Sequence, residues 1–378
     1  MKVPFNRPYI DNLEMKYIED AILHNKISGD GFYSKKINQF IEQKFGIMKA
    51  LFVNSGTAAL DMSALLLDLK KDDEVIMPSY TFVSTANAVK LRGAKIRFID
   101  IEPQTMNMDP DLLPDMINPR TKAIYAVHYA GISCDMGNLM KIARNHNLNV
   151  VEDAAQAVNA KYKDKYLGSI GEIGAYSFHE TKNYVCGEGG ALLLNSPELL
   201  KRAEIIWEKG TNRRQFFRGE VDKYSWVDIG SSYLGSDILA AFLTAQFEKL
   251  DQIQQLRKQA YIYYSSSLRY LEDKNLARLP GIPSYSTPNY HIFYLILNSG
   301  KERDHLMQYL KKQGIQAIFH YIPLHSSPMG RKLGNIPEDL PITEEYAKRL
   351  IRLPLYAGLT KKEQDYIITH IHKYFTKV

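Results

Sequence analysis

Four short stretches of this chain carry residue types that could do chemistry. The first is Asn54-Ser55-Gly56-Thr57, which joins the apolar run Ala50-Leu51-Phe52-Val53 to a helix-forming stretch ending near residue 69. A helix start offers free backbone N–H groups and the positive end of the helix dipole, so it attracts phosphate. Gly56 lets a ligand approach the backbone and Thr57 adds a hydroxyl. The same residues also make an ordinary N-cap. The second is Glu152-Asp153-Ala154-Ala155-Gln156, at the end of a very apolar strand. In open α/β sheets ligands sit beyond the carboxyl ends of the strands. An acid there can meet a ring nitrogen or a metal, or cap the next helix. The third is Lys182, in SFHETKNYVCGEGG (177–190). A lysine held beside Gly-rich backbone suits a Schiff-base amine, whereas many loop lysines are only solvated. The fourth is Phe82, which follows a strand and can stack on a planar ring or pack in the core.

Together these are the parts of a pyridoxal phosphate site: a phosphate cradle, an aromatic plate, a carboxylate and a lysine. Asp153 would keep the ring nitrogen protonated, which makes the ring an electron sink. Lys182 would hold the cofactor and, once displaced, move a proton between carbon atoms.

Those residues need a scaffold. Residues 50–53, 73–78, 95–100, 122–130 and 148–154 read as strands, with helical spacing at 36–46, 54–69, 84–93 and 136–147. Alternating strands and helices predict a parallel sheet covered on both faces. Residues 173–195 read as a strand, a Gly-rich loop and a returning strand. From Ser236 to about Leu271 the pattern predicts one long helix, followed by a Pro-rich stretch at 279–290. Further strands are predicted at 291–297 and 315–323, and further helices at 302–314 and 361–375. The change in texture divides the chain into a large domain, 1–250, and a smaller one, 251–378.

The chain has 378 residues, 45% hydrophobic and 24% charged, the proportions of a globular protein rather than a disordered one. Two cysteines, Cys134 and Cys186, exclude a disulfide scaffold and fit a reducing compartment. No apolar run reaches the roughly 18 residues of a membrane span, and the first residues lack the apolar core of a signal peptide. A cytoplasmic protein without a membrane partner is therefore expected. The net charge of +6 suits an anionic small substrate, and no long basic tract argues for nucleic acid. Arg213, Arg214, Arg218 and Lys223, interleaved with Phe216 and Phe217, could hold the pyrophosphate of a nucleotide-sugar or form a solvated loop. His320, Tyr321 and His325 lie in HYIPLH (320–325), either a substrate-facing segment or a packed polar corner. No metal site is expected: His370 and His372 are spaced to point to different sides of a helix. GEGG (187–190) is no dinucleotide fingerprint.

The motifs SGTAAL (55–60), DEVIMPSYTFVSTANA (73–88), VVEDAAQA (150–157), SFHETKN (177–183), GEGG and HYIPLH resemble those of the DegT/DnrJ/EryC1/StrS sugar aminotransferases, over nearly the whole chain. The resemblance implies an aspartate-aminotransferase-type α/β fold (fold type I) with a mostly parallel seven-stranded sheet. It also implies pyridoxal 5'-phosphate as cofactor, glutamate as amino donor and a nucleotide-sugar as acceptor. Within the family, VHYAGISCDM (127–136) and KGTNRRQFFRGEVDKYSW (209–226) look most like the enzymes that make dTDP-4-amino-4,6-dideoxygalactose. By position, Gly56, Thr57 and Ser177 would hold the phosphate, Phe82 stack on the ring and Asp153 meet its nitrogen. Gln156 would sit near the ring hydroxyl, and Lys182 would be the Schiff-base lysine. Tyr321, His325 and Arg218 would face the substrate. Amination at C3, an equatorial C4 amine or a non-catalytic sensor are the alternatives. A homodimer with shared active sites is implied. Many relatives place an Asn where this chain has Ser232 and an Arg where it has Leu234, which puts their contact across the dimer in question.

Overall fold

Short apolar runs separated by helix formers bury both faces only when helices cover a central sheet. That is the architecture of the computed structural model, which describes residues 1–376. In chain order the strands are β1 (Lys49–Val53), β2 (Glu74–Pro78), β3 (Lys95–Ile99), β4 (Thr121–Val127), β5 (Asn149–Asp153), β6 (Lys161–Tyr162), β7 (Lys165–Tyr166), β8 (Ile173–Ser177), β9 (Gly190–Leu194), β10 (Ala277–Arg278), β11 (Ser286–Thr287), β12 (Phe293–Leu297) and β13 (Leu350–Leu353). Seven of them form one sheet in the order β1-β9-β8-β5-β4-β2-β3. β9 is antiparallel to both neighbours, and the pairs from β8 to β3 are parallel. The returning strand read from the sequence is therefore present, with Ser177 opposite Gly190.

The period of two along each strand sorts side chains between two cores. Ala50 and Phe52 pack on one face with helix Phe32–Phe45 and helix Asp237–Glu248. Leu51 and Val53 pack on the other with helix Gly56–Leu66, helix Val83–Leu91 and helix Leu200–Trp207. Every residue of β2, β8 and β9 is buried, so these segments read as unbroken apolar runs.

A second, antiparallel sheet, β10-β12-β13, carries a third core with helix Gly300–Lys312 and helix Lys361–Thr376. Two sequence expectations fail in this half of the chain. The long helix is two helices, Asp237–Glu248 and Leu250–Ser267. Lys249 turns between them, and its ammonium reaches Glu14 Oε1 at 2.5 Å and Asp11 Oδ2 at 3.1 Å. A one-residue break leaves the apolar period almost intact, so spacing cannot show it. Residues 315–323 form no strand: Ile315 bridges Val3 and Ile318 bridges Arg352, each singly. Their apolar character comes instead from core packing of Ile315 and Ala317, before the segment turns toward Tyr321.

Helix Leu250–Ser267 joins the two halves. Leu250 and Ile253 pack in the core of the large sheet, and Ala260, Tyr261 and Tyr264 in the third core. Residue 250 is thus where this rod begins, but the halves interlock. Val3 packs in the third core, and β11 pairs with β6 beside the large sheet.

Candidate active site

The carboxyl ends of β5 and β8, the start of helix Gly56–Leu66 and the Lys182 loop open onto one cavity of about 490 Å³. Small-molecule sites typically occupy roughly 300–1,000 Å³. Gly56, Thr57, Phe82, Asp153, Gln156, Ser177, Lys182 and Tyr321 all line it.

The helix start is pressed against the β8–β9 edge. A Cβ on Gly190 would lie 2.4 Å from the Ser55 carbonyl carbon, and one on Gly56 would lie 2.9 Å from Ser177 Cβ. Only glycines allow that approach, and it brings the Ser177 hydroxyl to the first turn. Ser55 caps the helix by accepting from Ala58 N at 3.1 Å. Thr57 Oγ1 lies 2.7 Å from Ser84 Oγ. The stretch is thus both a cap and a lining of hydroxyls around free N–H groups.

Strand alternation separates the two acids at the end of β5. Glu152 turns inward and is fully committed: its carboxylate accepts from Gly168 N, Ile170 N and Gly171 N at 2.7–2.8 Å and lies 3.0 Å from His128 Nε2. Asp153 turns to the cavity. Its Oδ2 accepts from Thr85 Oγ1 at 2.7 Å and its Oδ1 from Ala155 N at 3.2 Å, which leaves lone pairs for a ligand.

Lys182 is held by a loop that extends the β8–β9 hairpin, through Phe178 N to Gly189 O at 2.8 Å and Cys186 N to Phe178 O at 2.8 Å. Its side chain has no hydrogen-bond or ion-pair partner among the described residues. Burial pulls its pKa down to about 8; Asp153 opposes the shift and Arg352 adds to it. The neutral amine is the nucleophile, so capture of an aldehyde such as pyridoxal phosphate should rise with pH and level off just above 8. An ordinary lysine would still be gaining at pH 10. Rates of aldehyde capture by the cofactor-free protein, measured against pH, check this.

Gln156 accepts from Ala130 N at 2.8 Å and donates to Tyr321 OH at 2.9 Å. The tyrosine's own hydrogen is then free to donate into the cavity. Phe82 is not a core residue: it is 57% exposed at the cavity wall, with its ring centre 6.4 Å from that of Tyr321. His320, also in the wall, is kept neutral by burial and by the charges of Arg352 and Lys182.

Two residues expected to face the substrate do not line this cavity. His325 is fully buried, with Nδ1 2.7 Å from Ser79 Oγ and Nε2 3.4 Å from Pro337 O. The polar-corner reading of this residue holds. Arg218 is engaged by Glu204 at 2.8 Å and Glu220 at 2.6 Å, beside a separate cavity with Lys26, Lys35, Lys49, Arg213 and Arg214. Ser232 is exposed, and its carbonyl accepts from Asn54 Nδ2 at 3.3 Å. Leu234 packs against the core instead. His370 lies against Tyr309, and His372 stacks on Tyr270 with ring centres 4.1 Å apart. Sequence reasoning missed Phe5, His291 and Arg352, which lie far from the motifs and carry no local signal.

The residues present fit pyridoxal phosphate. Hydroxyls and free N–H groups surround a phosphate position, a buried carboxylate faces the same space, and an amine without a partner enters it. The sequence profile of the DegT/DnrJ/EryC1/StrS aminotransferase family matches residues 8–372. An uncharacterised protein of Methanocaldococcus jannaschii is 33% identical, over 98% of this chain and 96% of its own length. GDP-perosamine synthase of Escherichia coli O157:H7 is 31% identical, over 99% of each chain. The apo-form structure of the putative sugar aminotransferase Spr1654 of Streptococcus pneumoniae superposes with a TM-score of 0.92 at 26% identity, covering 100% of this chain and 98% of that one. Similarity along the entire length, on a site whose parts suit that cofactor, identifies the chain as a pyridoxal-phosphate enzyme belonging to the DegT/DnrJ/EryC1/StrS aminotransferase family.

Proposed function

We propose that this enzyme moves the amino group of glutamate to C4 of a nucleotide-linked 4-keto-6-deoxy sugar. The foremost candidate is dTDP-4-keto-6-deoxyglucose, which would give dTDP-4-amino-4,6-dideoxygalactose. The observation that carries the reading is Lys182, an amine without a partner, sharing one cavity with the Asp153 carboxylate. Pyridoxal phosphate supplies an electron sink and a carbon that accepts an amine. The chain supplies the rest. The start of helix Gly56–Leu66, Thr57 and Ser177 bind the phosphate. Asp153, oriented by Thr85, holds a proton on the ring nitrogen. Phe82 covers the ring and helps exclude water. Lys182 takes the proton from Cα of glutamate and later delivers one to C4 of the sugar, on the face from which its amine reaches.

The reading also makes the working unit a homodimer. Neither Arg218 nor Ser232 lines the cavity of its own chain, so their use would lie across the interface. Trp226, Phe217 and Ile229 are 79%, 68% and 56% exposed in the same region of sequence and would be covered there. A second reading, a GDP-linked acceptor, is favoured by the GDP-perosamine synthases of Escherichia coli and Caulobacter vibrioides, at 31% and 32% identity.

The test is direct. The enzyme with glutamate is offered the dTDP- and GDP-linked 4-keto-6-deoxy sugars, and products are read by mass and by NMR coupling at C4. An axial amine on the dTDP sugar is expected. An equatorial amine changes the product's configuration and a GDP product changes the substrate; either keeps the chemistry. Bleaching of the bound cofactor by glutamate with no amino-sugar formed would reject this acceptor class.

A further inference from the structure

His291 lines the cavity just before β12, and the bonds around it fix which of its ring nitrogens is bare. The residue is 6% exposed, and Arg257 holds its backbone by donating to the His291 carbonyl at 2.6 Å. Nδ1 lies 2.8 Å from Asn183 Oδ1. The amide of Asn183 cannot be turned the other way round, because its Nδ2 donates to the Asn289 carbonyl at 2.9 Å and a carbonyl only accepts. Asn183 therefore presents an oxygen to the ring, and Nδ1 must carry the hydrogen. A neutral imidazole has one such hydrogen, so Nε2 holds a lone pair. Among the described residues nothing donates to it.

A second proton on this ring is disfavoured. Burial opposes it first, followed by the charges of Lys182, Arg257 and Arg352. His291 is thus an acceptor that does not act as a base. An inward-facing acceptor without a donor is costly, so its retention calls for a donor that comes and goes. Lys182 fits. It precedes Asn183 in the chain, shares the cavity, and leads the charges that act on the ring. An ammonium has three hydrogens on a flexible four-carbon stem. Proton transfer to and from carbon needs that stem held in one direction. Asp153 supports the ammonium by charge, but in the reading above its free lone pairs serve the ring nitrogen of the cofactor.

We propose that Nε2 of His291 accepts a hydrogen bond from Lys182 when that amine is displaced and holds the proton in transit, and so aims it at the reacting carbon. His291 is then a positioning residue, and the proton stays on the lysine. This rests on the transamination proposed above and adds a residue to it. In cofactor-free protein carrying isotopically labelled histidine, NMR should find His291 protonated on Nδ1 alone. Its Nε2 signal should shift as Lys182 titrates near its pKa of about 8, and stay flat in Lys182→Ala. Two variants then separate the nitrogens. His291→Asn keeps a donor for Asn183 and lacks the far acceptor, whereas His291→Gln brings an amide oxygen to the reach of Nε2. The Asn variant should lower the pH at which aldehyde capture levels off. It should also slow the donor half-reaction roughly tenfold or more at an unchanged KM for glutamate, the scale of one hydrogen bond to a charged group. The Gln variant should recover most of that rate. A hydrogen on Nε2, a signal blind to Lys182, a capture profile that His291→Asn does not lower, or a Gln variant no faster than Asn overturns the proposal. If the variants do not fold, the wild-type and Lys182→Ala spectra decide it. Failure of the transamination reading looks different: no amino acid bleaches the wild-type cofactor, whatever the Nε2 signal does.

Discussion

Lys182→Ala slows amine transfer by roughly three orders of magnitude or more while leaving the fold intact. The chemical loss follows from the position of the amine. Among the described residues its amine has no hydrogen-bond or ion-pair partner, and both proton transfers of the proposed reaction depend on it. No other group replaces it: His320 and His291 are neutral but engaged, with Tyr129 OH at 3.1 Å and Asn183 Oδ1 at 2.8 Å. The structural tolerance follows from the same isolation. The side chain makes no bond within the chain, so alanine orphans nothing. Below pH 8 it also removes a buried charge whose desolvation Asp153 offsets only in part. Single-turnover rates with glutamate, set beside the melting temperature, check both halves. A variant that turned over normally would sink the assignment of Lys182.

Asp153→Asn should cost roughly 10²–10³-fold in turnover, the scale on which one preorganised electrostatic contact contributes. The substitution keeps shape and loses charge. The asparagine oxygen can still accept from Thr85 or from the Ala155 amide, so the strand end need not move. What disappears is the negative charge that would hold a proton on the cofactor ring. A second consequence separates this from simple damage. The carboxylate supports the protonated form of Lys182, so its removal lowers the lysine pKa below its value of about 8. The pH at which aldehyde capture levels off should then shift downward. Distortion of the strand would slow the reaction without moving that profile.

Much of this molecule can be read from its residues, and the limits have physical causes. β1, β2, β5 and β8 lie within a residue or two of the apolar runs that predict them, because nearly every residue of each is buried. The site residues that cluster at strand ends and loop starts are legible for the same reason: Gly56, Asp153 and Lys182 sit where a parallel sheet presents ligands. Glu152 and Asp153 look alike in sequence, and only the pleat sends one to the core and the other to the cavity. Lys249 breaks a helix without breaking its periodicity. His325 is a polar residue in a conspicuous motif, yet a hydroxyl from Ser79, distant in sequence, claims it. Arg352 is the reverse case, an arginine in an apolar strand that lines the cavity with no local motif to mark it.

The first residues have a consequence for how the protein is made. Val3 N bonds Gly314 O at 2.9 Å, and Phe5 N bonds the side chain of Gln316, 311 positions later. Asn6 reaches the carbonyl of Glu180, in the loop that carries Lys182, at 3.0 Å. During synthesis this segment must therefore wait, unpaired, until Gln316, 311 positions later, has followed. The large sheet can form in the meantime, but Phe5 takes its place in the cavity wall only afterwards. A nascent chain should thus acquire its tight grip on the cofactor late, after residue 316 has emerged from the ribosomal tunnel.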